Sequence, residues 1–333
     1  MGDRYLIIGM GSIGRRHLVN LRRLKPQAEI AVLRSGLGHS DATKPLEANL
    51  QFFELEKAIA FAPQAAIVAS PASAHVDAAM KLCEAGIHML IEKPLSINIG
   101  KVPELIEQVG TKALTVLVGY NLRLAPAVIA ARDYVRRGEI GRILAVRAEV
   151  GQYLPDWRKG SSYETSVSAS RLLGGGPLLE LSHELDYIYW IFGLPTRVTA
   201  RGGRFADLHI DVEDVVELIL EYDHPKLIVN VHLDFLQRVP DRRCRFIGSD
   251  GNLLLDLMNR TTRIISGKPT ESNEERHDRH GGVDVYTAEL IELFNCIDTG
   301  STTMSTLTDA FDVLKIINAA ERSMNTNTTV ELQ

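Results

Sequence analysis

Residues 4–14, RYLIIGMGSIG, run from an apolar stretch into three glycines, Gly9, Gly11 and Gly14, and on into an amphipathic helical pattern. A strand that closes in GxGxxG and reopens as a helix restricts the fold more than any other feature of the chain. Only in that setting do the glycines each have a use: a tight turn, close backbone approach to a pyrophosphate, and tight helix-to-strand packing. The helix start, with Ser12 and Ile13 in its first turn, presents free N–H groups and a positive dipole end to phosphate.

The pattern continues to about residue 120. Apolar runs at 4–9, 29–33, 65–70, 87–92 and 113–119, and a weaker one near 50–53, alternate with helical stretches. In SIGRRHLVNLRRL, for example, Ile13, Leu18, Leu21 and Leu24 share one face while the arginines face water. Strands that are apolar throughout and separated by helices indicate a parallel sheet covered on both faces. After a connecting helix at 125–138 the runs between 142 and 257 are longer and partly alternating, with turn signals at 222–225 and 249–252. These predict a largely antiparallel sheet with one face covered. Residues 270–282 read as a polar surface loop, and helical patterns at 283–298 and 305–323 close the chain. The expected architecture is α/β: a doubly wound Rossmann domain over 1–121, then an α/β domain with a large, mostly antiparallel open sheet over 122–333.

Length and composition agree with two soluble domains, at 333 residues, 45% hydrophobic and 24% charged. A formal net charge of -5 leaves no electrostatic footprint for nucleic acid or an anionic membrane. No apolar run approaches the roughly 20 residues of a membrane span, and no basic-then-apolar leader precedes RYLIIG, so a cytoplasmic protein is expected. Cys83, Cys244 and Cys296 are scattered and read as buried thiols.

The second strand ends in Arg34 and Ser35, where an NAD-binding unit usually carries an acid for the ribose 2′-hydroxyl. Guanidinium and hydroxyl suit a 2′-phosphate, so NADP is favoured over NAD. The alternative is a solvated Arg34 with Asp41 serving instead. At two further strand ends, Ser70, Pro71 and His75 in SPASAH, and Glu92 and Lys93 in IEKPLS, lie on the sheet edge where doubly wound folds bind ligands. Lys93 there can hydrogen-bond a reacting hydroxyl and tune its acidity. A Glu92–Lys93 surface ion pair, and a His75 that only packs, are the plain readings.

The segment LLELSHELDYIYWIFG, 178–193, follows a triple glycine and reads as one helix. Leu181, Leu185, Ile188 and Ile191 form its apolar stripe, while Glu180, His183, Glu184 and Asp186 are interspersed. Glu180 and His183, three apart, share a face of such a helix. Glu180-x-x-His183 also imitates a di-iron half-site, which needs a second copy on another helix. Glu274-x-x-His277 is the one candidate and falls in the polar loop, so no metal is expected.

Taken in order, LIIGMGSIGRRH, VASPASAH, LIEKPLS, VGYNLR and LGGGPLLELSHELD resemble the Gfo/Idh/MocA oxidoreductase family across nearly the whole chain. The resemblance implies an N-terminal Rossmann domain and a C-terminal domain whose open sheet covers itself with another copy, as a dimer or tetramer. It implies a catalytic lysine at Lys93 and a helix bearing an acid and a histidine after a glycine run. The family's common Asp-x-x-x-His is not kept: Glu180 and His183 are only three apart, while His183 keeps its spacing to Asp186. His183 is therefore the expected proton carrier, with Glu180 as partner, and Glu184 is the alternative in another register. Similarity to members from surface-polysaccharide and sialic-acid-like sugar pathways points to a carbohydrate substrate. Arg123 and the loop residues Tyr153, Trp157 and Arg158 are the expected substrate contacts. The expected activity is hydride transfer between the nicotinamide cofactor and a secondary alcohol or ketone. The alternative is a non-catalytic cofactor sensor on the same fold.

Overall fold

The apolar runs of the first 120 residues become six parallel strands. In the computed structural model, which describes residues 3–35, 43–157, 162–266, 272–278 and 282–332, these are β1 (Arg4–Ile8), β2 (Glu29–Leu33), β3 (Leu50–Phe52), β4 (Ala65–Val68), β5 (His88–Ile91) and β6 (Val116–Val118). Helices α1 (Ser12–Leu24), α2 (Leu55–Ala60), α3 (His75–Glu84) and α4 (Val102–Thr111) alternate with them. The spatial order is β3-β2-β1-β4-β5-β6, the strand order of a dinucleotide-binding sheet. Leu18 and Leu21 of α1 are buried with Ile7, Ile30, Val32 and Ile67, while Ile13 and Leu24 pack partly buried against that core. Each fully buried leucine contributes about 1.5–3 kcal/mol.

Next come α5 (Pro126–Arg136), β7 (Ile143–Gly151), α6 (Pro177–Glu180), α7 (His183–Phe192), β8 (Arg197–Gly203), β9 (Val215–Asp223), β10 (Lys226–Asp234), β11 (Asp241–Gly248) and β12 (Gly251–Asp256). With β13 (Thr261–Ser266), β14 (Ser272–Arg276) and β15 (Val330–Glu331), the strands form a sheet of order β14-β13-β12-β11-β7-β10-β9-β8-β15. Its ladders are antiparallel except for β10 beside β7. One face carries buried Val146, Ala148, Val216, Leu218, Val229, Val231 and Phe246. Residues of the other parity include exposed Arg147, Glu217, Asn230 and Arg245.

Two expectations are corrected. Within 270–282, Ser272–Arg276 is not loop but the edge strand β14, where Glu274 pairs opposite Arg263 of β13; opposite charges across a ladder stabilise an edge that has few apolar residues. The helix expected over 178–193 is two: α6 ends at Glu180 and α7 begins at His183.

The closing helices are α8 (Val285–Thr299) and α9 (Leu307–Thr326). The chain divides into two units, Met1–Asn121 with Val283–Phe311, and Leu122–Gly282 with Asp312–Gln333. A division at 121/122 alone would leave α8 in the second domain, yet its Leu290 and Leu293 are buried in the core of the first sheet. Among the described residues no helix is long and apolar enough to cross a membrane.

Candidate active site

In the first unit the glycine turn has the form its spacing required. Gly9 has φ +94°, and a Cβ on it would stand 2.6 Å from the Ala69 carbonyl oxygen. A Cβ on Gly14 would come within 2.0 Å of the Gly9 carbonyl oxygen, so strand and helix meet only because both side chains are missing. Gly11 differs: at the N-cap of α1, a Cβ there would meet nothing within 4 Å. The open space at Gly11, beside exposed Ser12 and half-buried Ile13, is where a pyrophosphate would approach the helix start.

The neighbouring strand ends complete this half. Arg34 follows β2 and is buried, with its backbone N–H donating to Phe52 and its guanidinium to the Thr43 carbonyl at 3.2 Å. Ser35 is exposed, and Asp41 lies outside the described residues. Ser70 and Pro71 follow β4. His75, expected among the cofactor contacts, is buried with Nε2 2.7 Å from the Ser70 carbonyl and Nδ1 2.9 Å from the Pro94 carbonyl. Burial holds its pKa below the usual imidazole range, against the pull of those two carbonyls. Both ring nitrogens therefore face strand-end carbonyls, to one of which the neutral imidazole donates.

Glu92 and Lys93 do not form the surface pair of the plain reading. Glu92 is buried and accepts from His17 Nε2 at 2.6 Å and from the Lys93 backbone N–H at 3.3 Å. Lys93 is half-buried after β5. Glu92 thus acts within the turn that carries Lys93. His17 was missed in the sequence because its partner lies 75 positions away.

In the second unit, Glu180 ends α6 and His183 begins α7, with Leu181 and Ser182 between the two helices. The expected sharing of one continuous helical face is therefore corrected. Ser182 Oγ donates to the Leu179 carbonyl at 2.9 Å across the break. Leu185 and Ile188 are fully buried as the apolar stripe required, and His183 is 9% exposed.

Two acids of α7 have other duties. Glu184 takes a two-pronged ion pair from Arg242, at 2.7 and 2.9 Å, and is fully buried. Arg123, expected at the substrate, is 1% exposed, and its guanidinium is bound to Asp186 through Nε at 3.1 Å and Nη2 at 2.7 Å. That pair fixes α7 to the segment before α5. The loop after β7 is likewise packed: Arg238 lies 3.5 Å over the Tyr153 ring, and Trp157 meets Phe235 edge-on while donating to the Gln152 carbonyl. Arg158 lies outside the described residues. Trp157 and Tyr163 line a cavity with Leu154, Pro155, Ser162, Ser166 and Ser168.

Glu274 is exposed on β14 and His277 contacts Thr262 Oγ1 at 2.7 Å. Among the described residues, the one group of three ligand-type side chains that comes together is His17, Glu92 and Glu289. The three cysteines are free and buried, as expected.

Comparison with known proteins gives the same reading. Residues 4–120 match the oxidoreductase family model with an NAD-binding Rossmann fold, and residues 128–254 match the GFO/IDH/MocA C-terminal domain. The chain belongs to the Gfo/Idh/MocA oxidoreductase family. It is 28% identical to levoglucosan dehydrogenase of Pseudarthrobacter phenanthrenivorans over 179 residues, 46% of this chain and 45% of that protein. It is 23% identical to the scyllo-inositol 2-dehydrogenase (NAD(+)) of Bacillus subtilis over 344 residues, 99% of this chain and 96% of that one. For the first two curated relatives the match spans about half their length, 45% and 50%. A solved levoglucosan dehydrogenase in complex with NADH shares the fold, with a TM-score of 0.85, 18% identity and full coverage of both chains, 100% each.

The buried ion pairs on α7 give a direct test. Asp186→Asn, which weakens the charge-assisted bonds from Arg123, is expected to lower stability by about 1.5–3 kcal/mol in urea unfolding. A change below about 1 kcal/mol would mean that the pair does not anchor the helix.

Proposed function

We propose that this chain transfers hydride between a nicotinamide dinucleotide and a secondary alcohol or ketone of a sugar, sugar derivative or nucleotide sugar. The observation that carries the reading is Lys93 at the carboxyl end of β5, held by buried Glu92 on the same sheet edge as the open turn at Gly11. Strand ends at that edge are where a doubly wound sheet receives its ligand. The relatives named for levoglucosan and scyllo-inositol support a polyol substrate. NADP(H) is proposed in preference to NAD(H), because β2 ends in Arg34 and Ser35 rather than an acid. The protein is proposed to act in the cytosol, where its three free thiols stay reduced.

Bound along the glycine turn, the dinucleotide supplies the hydride chemistry. Lys93 hydrogen-bonds the reacting hydroxyl and stabilises its developing alkoxide. His183 exchanges the hydroxyl proton, as an imidazole can near neutral pH, and Glu180, at the end of α6, orients it. Tyr153 and Trp157 bind the ring of the substrate. Arg123 supports the site from behind through Asp186 rather than by touching the sugar.

Steady-state assays with levoglucosan, scyllo-inositol and UDP-sugars, against both NADP and NAD, test this proposal. Turnover of at least one polyol is expected, with the higher kcat/KM on NADP. Lys93→Ala and His183→Ala should each lower kcat by roughly 10²–10⁴-fold with little change in dinucleotide Kd. A Lys93→Ala protein as active as its parent contradicts the role of the lysine. Dinucleotide binding without turnover of any polyol would instead favour a cofactor sensor.

We also propose that a second copy covers the open face of the nine-stranded sheet, as dimer or tetramer. Ile228 there is 44% exposed, and half-buried Ile219 and Ile247 share its face among charged neighbours. Light scattering should give an oligomeric mass that falls for Ile228→Glu, and an unchanged mass would argue against this face.

A further inference from the structure

His17 on α1, Glu92 after β5 and Glu289 on α8 converge inside the first unit, all buried, with their ligand-type atoms within 4.8 Å of one another. Glu92 has its donors, the His17 ring and the Lys93 N–H. It is hemmed in on the other side, since a Cβ on Gly119 would stand 3.0 Å from Glu92 Oε2. Glu289 is placed differently. It is fully buried, and neither carboxyl oxygen accepts a hydrogen bond. Asn121 faces it without a bond of full geometry.

An ionised carboxylate at Glu289 would have at most the Asn121 amide to stabilise it and would confront the charge of Glu92. Two buried carboxylates so close cannot both ionise without large cost. Among the described residues no lysine or arginine forms an ion pair with Glu289. Asp284 at the start of α8 adds negative charge, Tyr286 stands edge-on to His17, and Arg16 is turned over the Tyr286 ring at 4.5 Å. A divalent metal is a poor substitute for the proton. Two ligands on one tetrahedral ion, with bonds of about 2.1 Å, stand about 3.4 Å apart, whereas His17 Nε2 and Glu92 Oε1 are 2.6 Å apart, a hydrogen-bond length.

We propose that Glu289 is a positioning residue that stays protonated at neutral pH, so that Glu92 keeps the only negative charge of the trio and remains locked on His17 and the Lys93 backbone. Its neutral form removes the repulsion that would push Glu92 out of the turn. The electrostatics agree: burial first, and the Glu92 charge second, raise the Glu289 pKa well above the usual carboxylate range, with Asn121 pulling weakly the other way. The importance given to the Lys93 turn rests on the proposed function; the protonation of Glu289 does not.

Three measurements on the full chain test this without reading turnover, so their failure is distinct from failure of the proposed activity. Infrared spectra of wild type and Glu289→Gln at pH 7 should differ by a protonated-carboxyl C=O band present only in wild type. The stability consequence has a definite sign. A carboxyl whose folded pKa is raised stabilises fully below its unfolded pKa of about 4.3, and that contribution is lost as pH rises through the folded value. The wild-type Tm should therefore fall relative to Glu289→Gln by about 2 °C per pH unit above pH 5. Finally, the Lys93 amide resonance in lysine-labelled protein should shift with the same midpoint as the wild-type carboxyl band and stay fixed in Glu289→Gln, a response that simple core packing would not give. If Glu289→Gln does not fold, the pH titration of the wild-type band and of its Lys93 amide decides. Absence of the band, parallel Tm curves, a pH-insensitive Lys93 amide, or a stoichiometric divalent metal in the purified protein would each overturn the proposal.

Discussion

The close passage of α1 over the end of β1 is the constraint on which the first unit depends. Gly14 can lie against the Gly9 carbonyl only without a side chain, since a Cβ would be 2.0 Å from that oxygen. This contact fixes where the helix begins, and with it the direction of the N–H groups at Gly11 and Ser12. From that start α1 carries His17 down to Glu92, and Glu92 in turn fixes the backbone of Lys93. The phosphate cradle and the lysine are thus parts of one packed assembly, with the His75 ring facing carbonyls of the turns after β4 and β5.

The second unit shows how charge can be structural where it looks chemical. Four acids and bases cluster between 180 and 186, and the sequence reading offers His183 and Glu180 to a ligand, with Glu184 as the alternative. Glu184 and Asp186 are instead held in buried ion pairs with Arg242 and Arg123, 58 and 63 positions away. Such pairs are weak evidence for net stability, but removing one member strands a buried charge. Holding α7 this way leaves His183 at its first turn, where a helix start gives way to the preceding segment.

The parallel strands, the glycine turn and the buried apolar stripe of α7 were legible because their signals are local: periodicity, a strand end, a glycine spacing. The helix break at Leu181–Ser182 was not, because neither residue is a breaker and the apolar pattern runs straight through it. β14 was unreadable for a related reason: SNEER has no apolar alternation, and it is a strand through its ladder with β13. The return of α8 to the first unit, and with it Glu289, depends on a contact between segments almost 200 residues apart in the chain, which no spacing announces. The pairing of Arg123 with Asp186 was hidden in the same way, by the 63 positions between them.

The central claim is that a dinucleotide lies on the turn at Gly11. Its backbone has φ -68°, open to any residue, and a Cβ there meets nothing. Calorimetric titration of NADPH and NADH into wild type and Gly11→Val is therefore the most direct test, because a Cβ there meets no other part of the chain within 4 Å. The account expects the variant to keep the wild-type melting temperature while losing dinucleotide affinity by at least about 100-fold. Equal affinity in the two proteins, or no binding of either dinucleotide to wild type, would contradict it.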